Sequence, residues 1–307
     1  MGLYDNHSTG YSMIGYMCAY LRYYYPVDFI TAYLNNANND SDITNGTALA
    51  KQLGIKILPP KFKYSKDKYF PDHHNNAIYK GIASIKFLNS DVAGQLYDMK
   101  DMEFKDFIDF LKINPCDTRQ TEILIKLSFF SEFGKSKKLL DIYKNYQLLG
   151  NKKQISKDKI NVPEDIMLKY STATPKLYKI FDSDGMVREL CKIIPDEDIS
   201  LSEMIRSELE YLGYIQTVLS VGSSYYAVAD INSKYANRIV KLYQLNSGDV
   251  TTVKIKAKTF EDSPLEVGDV IKTIDISEEK KWGRTPDGEW YRKDETEFIL
   301  KKWAIVR

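Results

Sequence analysis

The chain has 307 residues, of which 43% are hydrophobic, and it is therefore long enough to bury a core and to form more than one domain. Lysine and arginine together number 43, and aspartate and glutamate together number 42. This balance excludes a uniformly basic surface that binds nucleic acid, but it does not exclude a local basic face. Three isolated cysteines exclude a disulfide framework, and no apolar run approaches the roughly 20 residues of a membrane span, so we expect a soluble, cytoplasmic protein.

The first 80 residues are predicted to form helices and one short strand. Met13, Met17 and Leu21 recur at helical spacing, and Pro26 should end this helix because the residue before a proline avoids helical backbone. The stretches that follow are predicted to be a second helix from Val27, a turn-rich loop at 35–46, a helix at 47–53, a strand at 55–58 and an irregular region at 61–80.

Helical spacing returns in several short segments between Ile82 and Tyr146. It returns again at 164–213, after a charged stretch at 150–163 that we interpret as an exposed linker. After Gly213 the hydrophobic period changes to two, and the strand-like segments there are separated by turn residues. The last third of the chain therefore predicts a small β-barrel.

Three Asp-x-Asp pairs attract attention because paired carboxylates can hold divalent metals. They are Asp40/Asp42, Asp182/Asp184 and Asp196/Asp198. Each lies among turn-forming residues, and we interpret all three as turn chemistry. His73 and His74 lie in a polar stretch with only Asp72 beside them, which favours a surface loop over a metal site.

His7 stands apart from the other histidines. It lies beside Ser8 and Thr9 at the head of the first predicted helix, where unpaired backbone donors favour an anion. Two interpretations stay open at this point: a structural histidine and a group that faces a phosphate.

The segments NHSTGY, AYLR and YPVDF follow one another within the first 29 residues. The first carries His7 and Tyr11, and the second ends at Arg22. Together they resemble the fingers segment of the DnaE-type alpha subunit of bacterial DNA polymerase III. That family has Ser-His-Ala-x-x-Tyr, Ala-Tyr-Leu-Lys and Tyr-Pro-x-Glu-Phe in the same order, and here Asn6 replaces the serine.

The resemblance continues in order along most of the chain. GIKILPP, at 54–60, matches a Gly-Ile-x-Val-Leu-Pro-Pro segment of the family, and the segments at 79–96 and 117–134 match its first and second helix-hairpin-helix motifs. LSEMIRSELEYLGY, at 201–214, resembles the helix before the C-terminal OB-fold.

The residues and the resemblance together predict an α+β, multidomain fold. Its α-helical N-terminal two-thirds, a fingers remnant and a helix-hairpin-helix region, should be followed by a C-terminal OB-like β-barrel. The expected domains are a fingers-like segment at 1–80, a helix-hairpin-helix domain at 81–150, a linker with helices at 151–213 and the barrel at 214–307.

The chain departs from the family at both hairpins, and in the second the family's Ala-Gly-Ala-Phe reads Leu-Ser-Phe-Phe at 127–130. Where the family has Ile-Lys-Gly-Val-Gly, this chain has Ile-Lys-Phe-Leu-Asn at 85–89, and both glycines that let a phosphate approach the backbone are replaced. We expect Phe87 to be buried and the first hairpin to serve packing. The second hairpin should bind DNA more strongly, through Arg119 and Lys126 around a helix start that Asp117 or Thr118 caps.

The family's catalytic aspartates lie upstream of its histidine motif, and none of the three Asp-x-Asp pairs occupies that place. The resemblance implies the C-terminal part of a polymerase, either an excised portion or one piece of a split enzyme, which contacts duplex and template DNA and is inactive alone. It implies no cofactor in this chain, with Mg²⁺ only beside the missing palm. The implied partners are DNA, an upstream palm-bearing part and a sliding clamp, although no Gln-x-x-Leu-Phe clamp peptide is found.

Cationic and aromatic residues at the matched motifs and on one barrel strand are expected to contact nucleic acid. They are His7, Tyr11, Arg22, Lys86, Arg119, Lys126, Lys254, Lys256 and Lys258. The last three alternate with apolar residues and should share one face of a strand. Tyr243, Trp282 and Trp290 fit either base stacking or a core.

Two alternatives to a polymerase part stay open. One is a non-enzymatic adapter from the same family that binds single strands or a partner protein. The other is a degenerate remnant, because both hairpin glycines are replaced.

Overall fold

The computed structural model describes residues 4–159, 162–285 and 287–306, with side chains from Thr9 onward except those of Asp40, Thr44 and Lys159. The chain forms two compact units, Met1–Glu197 and Asp198–Arg307. Helices predominate in the first unit and a β-barrel in the second, which confirms the α+β fold class.

The first three helices of the first unit follow the predicted order, with one change. Helix α1 (Tyr4–Tyr24) ends just before the proline that opens α2 (Pro26–Asn35), as predicted. Helix α3 (Asp40–Gln52) begins well before the predicted 47–53, so the second half of the predicted loop is wrong. The reason is a cap: the Asn39 side chain accepts a hydrogen bond from the Asp42 amide at 2.9 Å.

A small three-stranded sheet packs against α2 and α3. The predicted strand is confirmed as β1 (Lys56–Leu58), but the region expected to be irregular contains β2 (Phe70–Asp72) and β3 (Ala77–Tyr79). Strand β3 lies in the centre, parallel to β1 and antiparallel to β2. The shared core consists of Val27, Ile30, Leu34, Ala50, Ile55 and Ile78.

The turn between β2 and β3 carries the two adjacent histidines. His73 and His74 are exposed, so the predicted surface loop is confirmed. The Asn75 side chain donates a hydrogen bond to the Asp72 carboxylate at 2.8 Å, and this bond lowers the pKa of that carboxyl. The Asp-Asn pair closes a turn, as expected of these residue types.

Short helices form the middle of the first unit, as predicted for 82–146. A 3-10 turn (Ile82–Ser84) precedes α4 (Ser90–Asp98), α5 (Phe107–Leu111), α6 (Thr118–Lys126) and α7 (Ser136–Leu149). Their core is a phenylalanine cluster, which consists of Phe62, Phe104, Phe107, Phe110, Phe129, Phe130 and Phe133. Phe62 lies at its centre, fully buried, and its backbone amide donates to the Phe129 carbonyl at 3.0 Å.

The predicted linker at 150–163 is wrong in part, because it contains strand β4 (Gln154–Ser156). Strand β4 and β5 (Ser171–Ala173) flank β6 (Leu177–Ile180) in a second three-stranded antiparallel sheet. A 3-10 turn (Lys157–Lys159) follows β4. Strand β4 is a three-residue edge strand with a single apolar side chain, Ile155, which is too short a pattern to mark a strand in the sequence.

Helices α8 (Glu164–Tyr170) and α9 (Ser183–Ile193) complete the first unit. Helix α9 is tied to α5 by a group of charges that we call the ion network: Arg188, Lys112, Asp106, Asp109 and Asp184. Arg188 bonds all three carboxylates, and its Nε lies 2.9 Å from Asp184. A single guanidinium therefore holds the start of α5 against α9.

The second unit is a closed five-stranded barrel with α10 (Leu201–Tyr211) packed on it. Its elements are β7 (Tyr225–Asn232), β8 (Arg238–Gln244), β9 (Val250–Ile255), α11 (Ala257–Asp262), β10 (Val270–Arg284) and β11 (Trp290–Ile305). The first three strands are neighbours in order, β11 pairs with β9 in parallel, and β10 closes the ring on β7. This order is that of an OB-like barrel, and the predicted barrel is confirmed.

The last two strands continue past the barrel as a two-stranded arm. Strand β10 pairs with β7 only at Val270–Lys272, and β11 pairs with β9 only at Phe298 and Ile299. Beyond these points, residues 279–284 and 290–297 pair with each other, and we call them the arm. Strands β10 and β11 therefore build both the wall of the barrel and a ribbon that leaves it.

Candidate nucleic-acid interface

The first hairpin turn keeps a glycine-like backbone without glycine. Phe87 occupies the family's first glycine position and has a φ of +72°, in the left-handed region that glycine adopts most easily. Asn89, at the second position, caps α4 by accepting from the Val92 amide at 2.9 Å. The turn thus has a backbone conformation that glycine favours, although neither of the family's glycines is present.

The expectation that Phe87 is buried is wrong. Its side chain is 49% exposed, and the guanidinium carbon of Arg119 lies 3.3 Å from the centre of its ring. The Gln120 side chain adds a hydrogen bond to the Phe87 carbonyl at 3.0 Å. A left-handed backbone turns this ring outward, where it supports a cation from the next motif.

Helix α6 starts with a complete capping box, and of the two predicted caps, Asp117 and Thr118, Asp117 is the cap. The Asp117 carboxylate accepts from the Gln120 amide at 2.8 Å, and the Gln120 side chain accepts from the Asp117 amide at 3.1 Å. Gln120 therefore serves both the cap and the first hairpin. We call the exposed group formed by Lys86, Phe87, Asn89 and Arg119 the hairpin surface.

The prediction that Lys126 lies with Arg119 around a helix start is wrong. Lys126 occupies the last turn of α6, and seven residues separate the two along the helix, about 10 Å of rise. Lys126 stands instead beside the second turn, where Ser128 replaces the family's glycine with a φ of +57°. The two turns thus carry separate cations.

Restoring glycine at the second turn should stabilise the first unit. Serine at +57° is held in a region that costs an L-residue about 1–2 kcal/mol, and part of this is recovered when glycine replaces it. We expect Ser128→Gly to raise the free energy of unfolding by about 1 kcal/mol in urea denaturation. Ser131→Gly, at a backbone without positive φ, is the matched control and should lower it. A loss of stability in Ser128→Gly would contradict the strained turn.

The interpretation of the Asp-x-Asp pairs as turn chemistry holds for Asp182 and Asp196, which accept bonds at a helix cap and in a loop, whereas Asp42 and Asp184 lie inside α3 and α9. The side chain of Asp40 lies outside the described ones. The Asp182 side chain caps α9 by accepting from the Gly185 amide at 2.8 Å, and the Lys135 amide donates to Asp196 at 3.1 Å. Asp184 belongs to the ion network, and the Asp42 carboxylate accepts from the Asn38 amide. Across the described ranges, no three His, Cys, Asp or Glu side chains are grouped as metal ligands.

Helix α1 carries three of the expected nucleic-acid contacts. The side chain of His7 lies outside the described ones, while Tyr11 and Arg22 are exposed. Eleven residues make just over three full turns, so Tyr11 and Arg22 share one face of the helix, about 16 Å apart along its axis. All side chains from Thr9 to Tyr25 are exposed, including Met13 and Leu21.

No helix in the described part of the chain is long and apolar enough to cross a membrane.

The three lysines of the barrel do not share one strand face, so that prediction is wrong. Strand β9 ends at Ile255, Lys256 occupies the N-cap position of α11 without a side-chain cap bond, and Lys258 lies within that helix. Lys254 alone is in the strand, and its ammonium lies 3.1 Å from Glu297. The alternating pattern in the sequence runs across a strand end that the apolar periodicity does not mark.

The three aromatic residues left open by the sequence differ in their surroundings. Tyr243 is 8% exposed and packs between the barrel and α10, which raises the pKa of its phenol through burial. Trp282 and Trp290 are 54% and 66% exposed and lie on the arm. Sequence reasoning missed their companions Arg284 and Arg292, although Trp-Gly-Arg and Trp-Tyr-Arg occur in consecutive strands.

A sequence model of the helix-hairpin-helix motif matches residues 54–140. This range contains the turn at Phe87, which precedes α4, and the turn at Ser128, which follows α6. The protein is thus of a class that joins a helix-hairpin-helix region to an OB-like barrel in one chain.

The curated relatives are alpha subunits of a bacterial polymerase. DNA polymerase III subunit alpha of Campylobacter jejuni is 27% identical over 308 residues, which cover 88% of this chain and 24% of that relative. The alpha subunit of Staphylococcus aureus is 29% identical, and the match covers 68% of this chain and 18% of that relative. The alpha subunit of Aquifex aeolicus is 33% identical, and the match covers 43% of this chain and 12% of that relative. These matches confirm the resemblance of the chain to DNA polymerase III alpha subunits, of whose length it spans about a quarter or less.

Proposed function

We propose that this chain is a DNA-contacting part of a replicative DNA polymerase III alpha subunit. The hairpin surface and the second turn hold the backbone of duplex DNA, and the barrel unit holds single-stranded template. Phosphoryl transfer, with its Mg²⁺, belongs to a palm-bearing part that acts together with this chain.

The geometry of the hairpin surface carries the proposal. The first turn keeps a φ of +72°, and a cation from α6 is stacked on the exposed ring that the turn presents. Within the described residues Arg119 has no carboxylate partner, so its remaining donors are available to a phosphate.

The exposure of helix α1 supports the proposal that a palm-bearing partner binds this chain. Apolar side chains such as Met13, Ile14 and Met17 are 56–66% exposed, and surfaces of this kind mark interaction sites in folded proteins. Tyr11 and Arg22, on one face of α1, would then contact DNA or nucleotide at the boundary with that partner. His7 is proposed for the same face of the complex.

The test is duplex binding at several salt concentrations. Each phosphate contact releases counterions, so the slope of log affinity against log salt falls by about 0.9 for each cation removed. We expect Arg119→Ala to weaken duplex binding about threefold to tenfold and to reduce the slope by about 0.9, and Lys86→Ala and Lys126→Ala to reduce it similarly.

Two controls separate contact from folding. Lys137→Ala removes an exposed lysine that is paired with Glu197 at 2.9 Å and should leave affinity and slope unchanged. Arg119→Lys keeps the charge but loses the flat stack on Phe87, and it should bind with an intermediate affinity. Unchanged salt slopes in all three alanine variants would overturn the proposed duplex contact.

A further inference from the structure

We propose that one face of the arm is a stacking site for single-stranded nucleic acid, formed by two tryptophans and two arginines. The inference rests on the proposed function, since it names where the barrel unit holds a single strand. It also places that contact at the arm instead of at Lys254, Lys256 and Lys258.

The register of the arm places the four side chains together. Trp282 lies opposite Arg292, and Arg284 lies opposite Trp290, with Gly283 and Tyr291 between them on the other face. The four therefore alternate, with each indole beside one guanidinium across the ribbon and diagonal to the other indole. The guanidinium carbon of Arg292 lies 4.1 Å from the centre of the Trp282 ring, and that of Arg284 lies 5.8 Å from the Trp290 ring.

Each of the four carboxylates on the arm has a lysine partner, and among the described residues neither arginine is paired with a carboxylate. Four carboxylates have lysine partners at 2.8–3.4 Å: Lys280–Asp294, Lys281–Glu295, Lys254–Glu297 and Lys301–Glu279. In the described part of the chain the arginines bond only backbone carbonyls, Arg284 to Gly288 and Arg292 to Lys280. Positioned but unpaired guanidinium groups suit an anionic ligand.

The spacing of the indoles favours a single strand over a duplex. Diagonal positions across a β-ribbon are about 7–8 Å apart, roughly twice the 3.4 Å rise between stacked bases. Two successive bases reach both indoles only when they separate from each other, which a duplex prevents. Alternating indoles and guanidinium groups match the alternating bases and phosphates of an extended strand.

The opposite face of the arm is closed by its own packing. A side chain at Gly283 would lie 2.8 Å from the Tyr291 ring and 2.8 Å from the Lys293 side chain, so both cover the ribbon there. An aromatic ring that packs over a glycine stabilises the β-ribbon itself, so this ring is not available to a ligand. The stacking site is therefore confined to the tryptophan face.

The experiment uses the full chain and an oligothymidylate of about 16 nucleotides, with affinity and tryptophan fluorescence as readouts. Two of the three tryptophans lie at the site, and Trp303 is 9% exposed in the barrel core and supplies a constant background. We expect quenching on binding, and we expect Trp282→Leu with Trp290→Leu to weaken affinity about thirtyfold, roughly fivefold for each base stacked. Trp282→Phe with Trp290→Phe keeps aromatic faces and should stay within about threefold of the parent.

Charge is tested on the same arm. Arg284→Gln with Arg292→Gln should weaken binding and flatten its salt dependence by about 1.4 in slope, because single strands release about 0.7 counterion per contact. Lys280→Gln with Lys281→Gln removes the same charge from paired side chains and should change neither quantity.

Three results would overturn the inference. Equal losses in the leucine and phenylalanine variants would show that the indoles serve folding or an apolar protein partner. Parent-like affinity in the leucine variant would place the single strand elsewhere. Absence of oligothymidylate binding, with duplex binding intact, would remove this site and leave the proposed duplex contact standing, whereas loss of both would remove both.

Discussion

Phe62→Ala should lower the free energy of unfolding of the first unit by about 4 kcal/mol. Phe62 is fully buried, and five other phenylalanine rings lie with their centres 5.2–6.2 Å from its own. Truncation removes these contacts and leaves a cavity that the neighbouring rings, from the stretches 104–110 and 129–133, fill only in part. The measurement is urea denaturation followed by far-ultraviolet circular dichroism.

The matched control is Phe181→Ala, at a phenylalanine that is 68% exposed. It should change stability by no more than about 0.5 kcal/mol. Phe62→Leu, which keeps most of the buried volume, should cost clearly less than alanine. A loss below about 1 kcal/mol in Phe62→Ala would contradict a close-packed cluster around this ring.

Arg188→Met should cost the first unit about 2 kcal/mol at pH 7. The variant leaves the carboxylates of Asp106, Asp109 and Asp184 close together on α5 and α9 with only Lys112 to offset them. Removing one partner of a fully buried pair costs about 3–5 kcal/mol, and the Arg188 side chain is 27% exposed, so solvent reduces the loss. Lys137→Met, at an exposed pair, should cost little.

The loss in Arg188→Met should shrink as the pH falls. The bond from Arg188 lowers the pKa of Asp109, and bonds from Lys112 and then Arg188 lower that of Asp184. Carboxyls with lowered pKa stabilise the folded state above their unfolded value, about 3.9, and this stabilisation disappears as pH falls through their folded values. Parent and variant should therefore converge between about pH 5 and pH 2. A difference in stability that stays constant over this range would contradict the ion network.

Elements that bury an apolar face were predictable from the sequence, because burial leaves a periodic pattern. Helices α2, α4, α6 and α10 and the barrel strands are examples, since apolar periods of about 3.6 or two mark them. Strand β4 was missed because it is a three-residue edge strand with a single apolar side chain. The start of α3 was missed because an Asn-Asp run is typical of both turns and helix caps.

The hairpin surface was predictable in its residues but not in its arrangement. Lys86 and Arg119 were chosen by resemblance, yet the left-handed backbone of Phe87 and the stacking of Arg119 on it depend on how two motifs meet. Hydrophobicity alone predicts that a phenylalanine in place of a glycine is buried. The left-handed backbone conformation at this position instead leaves the ring exposed. On the arm, the pairing register brings Trp282 beside Arg292, and no single strand reveals that register.

The most direct test of the central claim is amide hydrogen exchange of the full chain with and without a primed template. In the DNA complex we expect slower exchange at 85–92 and 117–122 in the first unit, because the hairpin surface covers duplex backbone there. We also expect protection of the arm, at 279–284 and 290–297, when the template has a single-stranded overhang. Exchange that is unchanged at the hairpin surface, with DNA shown to be bound, would contradict the account.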